Sequence, residues 1–198
     1  GMSIAPNASA SAVGLISGLD FQSGPGESGP ARAWTWQLNS GTMDQVRVFD
    51  SYGRMVRHPL GGAVRDIRYD EADRITSYTH VNAVNGSPVP ALDQGFGYDE
   101  VGRITSVSTG VGSWTYAYDD NGNRTVTSHT KPGGGTSMRS YATAPDSNRL
   151  MSMSNPARVF THDPAGNTES DLQGNLGMTV THDLASRVAQ IDSSQGGG

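Results

Sequence analysis

One short word recurs along this chain, and it limits the fold more than any other feature. It reads Phe49-Asp50-Ser51-Tyr52-Gly53-Arg54, then Tyr69-Asp70-Glu71-Ala72-Asp73-Arg74, then Tyr98-Asp99-Glu100-Val101-Gly102-Arg103, then Tyr118-Asp119-Asp120-Asn121-Gly122-Asn123-Arg124. Degenerate copies follow at Asp146-Ser147-Asn148-Arg149, His162-Asp163-Pro164-Ala165-Gly166-Asn167 and His182-Asp183-Leu184-Ala185-Ser186-Arg187. The seven Asp positions are separated by 20, 29, 20, 27, 17 and 20 residues. A period near 20 means that one small unit is built repeatedly and buries its apolar face only against its neighbours.

The unit reads as a β-hairpin. A run of aromatic and β-branched residues enters, as in Trp114-Thr115-Tyr116-Ala117-Tyr118, which has the alternation of a strand. Asp opens a turn, where its carboxylate accepts bonds from N–H groups further along. Three positions later most copies carry Gly, Asn or Asp, the residues that adopt a left-handed conformation at least cost. A second run then leaves, as in Arg103-Ile104-Thr105-Ser106-Val107. The residues Asp50, Arg54, Asp70, Arg74, Asp99, Arg103, Asp119, Arg124, Asp183 and Arg187 are therefore assigned to turn structure, not to catalysis. Thirteen of the 14 basic residues are Arg, which suits a side chain asked to pair with a carboxylate across a turn.

Seven hairpins amount to about 14 strands, more than the roughly 10 that an open sheet usually reaches before it curls. The expected fold is all-β: consecutive antiparallel β-hairpins forming a strongly curved sheet, either barrel-like or part of a spiral shell. Residues 1–30 are expected as a lead-in, with one edge strand and a loop through Gly24-Pro25-Gly26-Glu27-Ser28-Gly29-Pro30. Residues 31–198 form the repeat domain, with loops at 82–94 and 129–140 where the spacing lengthens. No sustained 3.6-residue apolar period appears, so helix content is expected to be low.

Composition narrows the function. Charged residues are 17% of the chain, the net charge is −5, and cysteine is absent. No disulfide framework, thiolate nucleophile or cysteine-based zinc site can form. The acidic balance disfavours a nucleic-acid partner, and no apolar run is long enough for a membrane span. Gly24-x-Gly26-x-x-Gly29 lacks the strand and helix of a dinucleotide site because prolines flank it. Asp119-Asp120-Asn121-Gly122-Asn123 lacks the Gly and Glu of a calcium loop. His162 and His182 stand where other copies have Tyr, so they read as replacements for it. No cofactor and no metal are expected, and no enzymatic activity.

Aromatic residues are the remaining candidates for contact with a ligand or an enclosed cargo. Trp34, Trp36, Trp114, Tyr116 and Tyr118 alternate along strands, so each set lies on one face. Such residues line a concave sheet face or, in the alternative reading, stack on sugar rings.

The repeated words, together with Trp34-Thr35-Trp36 and Ser147-Asn148-Arg149-Leu150, resemble the YD repeats of the Rhs/YD-repeat family, in the bacterial Rhs version. The resemblance covers residues 19–192. It implies a strip of β-hairpins spiralling into a hollow shell that encloses a C-terminal toxin delivered to competing bacteria. The implied partners are the remainder of an Rhs-like chain and the enclosed polypeptide. The implied location is secreted or at the cell surface. Bacterial members also carry a self-cleaving aspartyl-protease motif that begins Asp-Pro-x-Gly-Leu, but Asn167 follows Asp163-Pro164-Ala165-Gly166 here. The chain is thus expected to be wall without protease or cargo. Free sheet edges make self-association an expectation too. An extracellular carbohydrate- or protein-binding module is the alternative.

Overall fold

The computed structural model describes residues 2–4, 13–24, 27–38 and 41–194. They form antiparallel strands almost throughout, and the chain divides into two compact units, Gly1–Gly95 and Phe96–Gly198. No helix among the described residues is long and apolar enough to cross a membrane.

In the first unit lie β1 (Met2–Ile4), β2 (Val13–Gly24), β3 (Glu27–Leu38), β4 (Gly41–Val46), β5 (Val48–Phe49), β6 (Met55–Leu60), β7 (Ala63–Tyr69) and β8 (Ile75–Asn82). A 3-10 turn at Pro90–Leu92 precedes β9 (Gln94–Tyr98), which runs on into the second unit. There follow β10 (Ile104–Thr109), β11 (Gly112–Tyr118), β12 (Arg124–Thr130), β13 (Thr136–Thr143) and β14 (Leu150–Met153). The last are β15 (Arg158–His162), β16 (Thr168–Gln173), β17 (Leu176–His182) and β18 (Val188–Ser193). Strand order is the chain order in both sheets, β1 to β4 and β5 to β18. Among the described residues no pairing joins β18 to β5, so this sheet is open where a barrel would close it.

Two turn types alternate. One hairpin end carries the Asp turns, and the other closes through two residues, with Leu60 opposite Ala63, Thr109 opposite Gly112, and Gln173 opposite Leu176. The irregular loop expected over 82–94 separates β8 from β9. The loop expected over 129–140 shrinks to 131–135. There the Lys131 N–H donates to Gly135 O (3.1 Å) and Gly134 N–H to Lys131 O (3.1 Å). Three consecutive glycines with positive φ make so tight a return available. The Gly24–Pro30 stretch expected as loop carries strand residues on both sides, with Gly24 opposite Glu27. Its tip, residues 25–26, lies outside the described residues.

Little is fully buried. Among the described residues of the first unit the buried side chains are Ala63 and Ile67 on β7 with His80 on β8. In the second they are Val180 on β17 with Ser170 and Asp171 on β16. Elsewhere burial is partial: β9 and most of β12 are half-buried on both faces, β18 is exposed on both, and β11 alternates. On β11, Trp114, Tyr116 and Tyr118 are half-buried while Ser113, Thr115 and Ala117 face solvent.

Candidate functional site

Six turns share one set of bonds, anchored at Asp50, Asp70, Asp99, Asp119, Asp163 and Asp183. In each, the Asp N–H donates to the carbonyl four residues on at 2.9–3.0 Å, and the Asp carbonyl accepts from the N–H three residues on. Oδ1 accepts from the N–H at the fourth position, at 2.8–3.0 Å. Oδ2 accepts from the side chain there. The donors are Nε of Arg54 (2.8 Å), Arg74 (2.8 Å), Arg103 (2.6 Å) and Arg187 (2.8 Å). In two copies the donor is Nδ2 of Asn123 (2.9 Å) or Asn167 (2.8 Å). The residue before the clamp is left-handed in every copy, and at Asp73 (φ 60°) and Ser186 (φ 56°) it is not glycine.

Two sequence assignments change. Asp119 is closed by Asn123, not Arg124, because a planar amide four residues away satisfies the same acceptor. Arg124, one position later, instead lies over Tyr116 (5.9 Å to the ring centre) and Tyr141 (5.0 Å). In the copy at Asp146 the anchor is Ala144, whose N–H donates to Arg149 O (2.9 Å). That turn is one residue longer, with Thr143 opposite Leu150 where the regular copies pair residues six apart.

The clamps hold the carboxyls of all six Asp below the ordinary aspartate range. The guanidinium bond is the largest cause at Asp99 and Asp183, the amide bond at Asp119 and Asp163, and the Arg74 N–H at Asp70. At Asp50 desolvation is largest and opposes ionisation, but the bonds from Arg54 and Tyr52 outweigh it.

Four of the six clamps, and Arg149 of the longer turn, also reach the next turn. Arg54 Nη1 meets Asp73 Oδ1 at 2.5 Å, Arg103 Nη1 donates to Asp119 O at 3.0 Å, and Asn123 Nδ2 donates to Asn148 Oδ1 at 2.9 Å. Further along, Arg149 Nη2 donates to Pro164 O (3.2 Å) and Asn167 Nδ2 to Ser186 Oγ (3.2 Å). The tyrosine ahead of the next Asp is covered by the same guanidinium: Arg54 lies 4.7 Å from the centre of Tyr69 and Arg103 4.7 Å from Tyr118. The Tyr hydroxyls then donate to Met55 O (2.9 Å) and Ile104 O (2.8 Å).

The aromatic candidates fall on the half-buried faces of their own units. Trp34 and Trp36 are half-buried on β3, with the Arg47 guanidinium 4.7 Å from the Trp34 ring centre. Trp114 stacks on His129 across β11 and β12, ring centres 4.4 Å apart and planes 7° from parallel. Phe160 on β15 is approached by Arg158 (5.7 Å), which pairs with the buried Asp171 through Nε (2.7 Å) and Nη2. His162 and His182 are half-buried at the Tyr position, each with a buried Nδ1 that has no hydrogen-bond partner. No group of three His, Asp or Glu among the described residues is placed to hold a metal.

One cluster was not legible in the repeats. The His80 side chain is fully enclosed, with Nδ1 3.1 Å from Asp93 Oδ1 and Nε2 accepting from Arg65 Nε at 3.0 Å. The same carboxylate oxygen accepts the His80 N–H (2.8 Å), which ties the 82–94 loop to β8. Only the cross-strand register that sets Arg65 opposite His80 brings the first two together, and the loop's path brings Asp93.

Residues 98–136 match the family model described as the RHS repeat. None of the curated proteins matches the sequence. Among solved structures the chain is similar to the crystal structure of TcdB2-TccC3 without its hypervariable C-terminal region, with 14% identity and a TM-score of 0.39. The similarity covers 86% of this chain and 12% of that one.

Proposed function

We propose that this chain, an Rhs/YD-repeat chain, is a non-enzymatic wall segment of a β-shell that encloses a toxin-like polypeptide of its own larger protein. One observation carries the reading, the half-buried aromatic row Trp114, Tyr116 and Tyr118 on β11, which nothing among the described residues covers fully. On β11 the rings of Trp114, Tyr116 and Tyr118 occupy a face that is only half-buried, while Ser113, Thr115 and Ala117 occupy the exposed one. A single sheet layer that finishes neither face leaves the aromatic one to be covered by something else. Containment of a polypeptide fits this, since rings and guanidiniums accept varied side chains without demanding one sequence. In this reading the chain works outside the cell that makes it, in competition between bacteria.

The test is light scattering on the eluting chain, repeated with a hydrophobic-probe dye. A dye-bright or self-associated species is expected through the uncovered face and free sheet edges. A dye-silent monomer of 20.8 kDa overturns the reading. The half-exposed row Trp114, Tyr116 and Tyr118 also suits a second function, an extracellular carbohydrate- or protein-binding module. That reading expects saturable glycan binding lost in Trp34→Ala or Trp114→Ala with the fold retained.

A further inference from the structure

The half-buried face of the second unit contains a gap. Its cross-strand rows run Trp114–His129–Ser137 and Tyr116–Thr127–Arg139 across β11, β12 and β13. Large rings stand on β11, but Ser137 and Thr127 are short, and a cavity of about 240 Å³ opens among Trp114, His129, Ser137, Arg139, Tyr141 and Asn155. Its walls are held before any occupant arrives. The Trp114–His129 stack is one wall, and Gly112 packs so closely that a Cβ there would lie 2.9 Å from His129 Nε2. Arg139 Nε is fixed by Asn155 O (2.9 Å), and Asn155 Nδ2 in turn by Met138 O (3.0 Å).

The charge of this gap is unanswered. In the neighbouring row Tyr141–Met153–Arg158, the guanidinium of Arg158 is met by Asp171. Arg139 has no carboxylate partner among the described residues, and neither does Arg124 beside the same Tyr141. Their combined field is felt by Tyr141. Burial opposes ionisation of its phenol, yet the Thr127 hydrogen bond and the two guanidiniums hold it below the usual tyrosine range. A half-buried guanidinium bonded only to neutral groups is better matched when a carboxylate is supplied from outside.

We infer that this cavity is a socket for an acidic side chain, Asp or Glu, of the polypeptide that covers the face. The carboxylate would meet the Nη edge of Arg139 beside Tyr141, and its methylene stem would lie against the His129 and Trp114 rings. The inference rests on the wall reading and adds a specific anchor to it. The chain as a whole carries −5 and repels an acidic peptide, so saturable uptake has to come from a local site.

The probe is a fluorescein-labelled hexaglutamate peptide followed by anisotropy at low salt. Unlabelled hexaglutamate, hexaglutamine, trigalacturonate and inorganic phosphate serve as competitors. Binding is expected to be displaced by hexaglutamate alone, and to weaken at least tenfold in Arg139→Gln while Arg187→Gln binds as the parent does. Ser137→Met, which fills the gap and leaves every charge in place, is expected to abolish it. It also keeps the test open if Arg139→Gln fails to fold. Absence of binding, equal displacement by trigalacturonate or phosphate, or equal loss in Arg139→Gln and Arg187→Gln each overturns the socket. A dye-bright chain that binds no hexaglutamate removes the socket alone, and a dye-silent monomer removes the wall.

Discussion

Arg103 donates from Nη1 to the main-chain oxygen of Asp119, 3.0 Å away in the following turn, while its Nε stays bonded to Asp99 at 2.6 Å. One side chain thereby closes its own turn and ties it to the next. A planar guanidinium can do both at once because its donors point in fixed, divergent directions. An ammonium in the same place serves one acceptor geometry or the other. Arg103→Lys is therefore expected to lower the Tm by about 2–4 °C, the shift of roughly one lost hydrogen-bonding contribution in a chain of this size. Thermal unfolding followed by circular dichroism checks it. An unchanged Tm would mean that the second bond is incidental.

Acid should unfold the repeats cooperatively. All six clamped carboxyls ionise more readily folded than unfolded. A depressed folded-state value adds stability that is fully present above the unfolded aspartate value of 3.8 and is lost as pH falls through the lower folded value. Stability is expected to be flat from about pH 5 upward, to decline below about pH 4, and to be restored on neutralisation. Urea midpoints measured across this range test the sign. A rise in stability on acidification would contradict the clamp.

The His80 cluster governs one loop. Asp93→Ala removes the acceptor of both the His80 N–H and its imidazole, leaving a fully enclosed ring with an unmatched Nδ1. A loss of about 1–3 kcal/mol is expected. Hydrogen exchange should quicken first at Val89, whose N–H donates to His80 O at 2.9 Å. Asp93→Asn, which keeps a carbonyl oxygen for the main-chain bond, should lose less. Exchange that quickens evenly along the chain would deny a local role.

Gly177 is required by space and by backbone angle together. Its φ is 151°, and a Cβ there would lie 2.1 Å from Asp171 O and 2.9 Å from Leu172 Cα. Both obstacles are backbone of β16, so neither can swing aside as a side chain could. Gly177→Ala is expected to cost about 2–4 kcal/mol. Gly174→Ala, with no atom near its Cβ position, should cost only the left-handed strain of about 1 kcal/mol. Equal losses in the two variants would show that crowding at β16 contributes nothing.

The sequence by itself determined the hairpins and their turns. A carboxylate that caps N–H groups two to four residues away acts within a single turn, so its chemistry is visible in a short word, and Asp99 with Arg103 needed nothing distant. The same local logic did not say which side chain closes Asp119, because an amide at Asn123 and a guanidinium one residue later are both within reach in sequence, and spacing alone does not rank them. It also overran the Lys131–Gly135 turn, since length in sequence does not distinguish a loop from two longer strands. The tertiary structure alone decided what depends on cross-strand register. It set Arg65 against His80, Asp171 against Arg158, and the short Ser137 beside His129, so that a gap rather than a packed row faces Arg139. Register is a sum over a whole strand, and no repeated word encodes it.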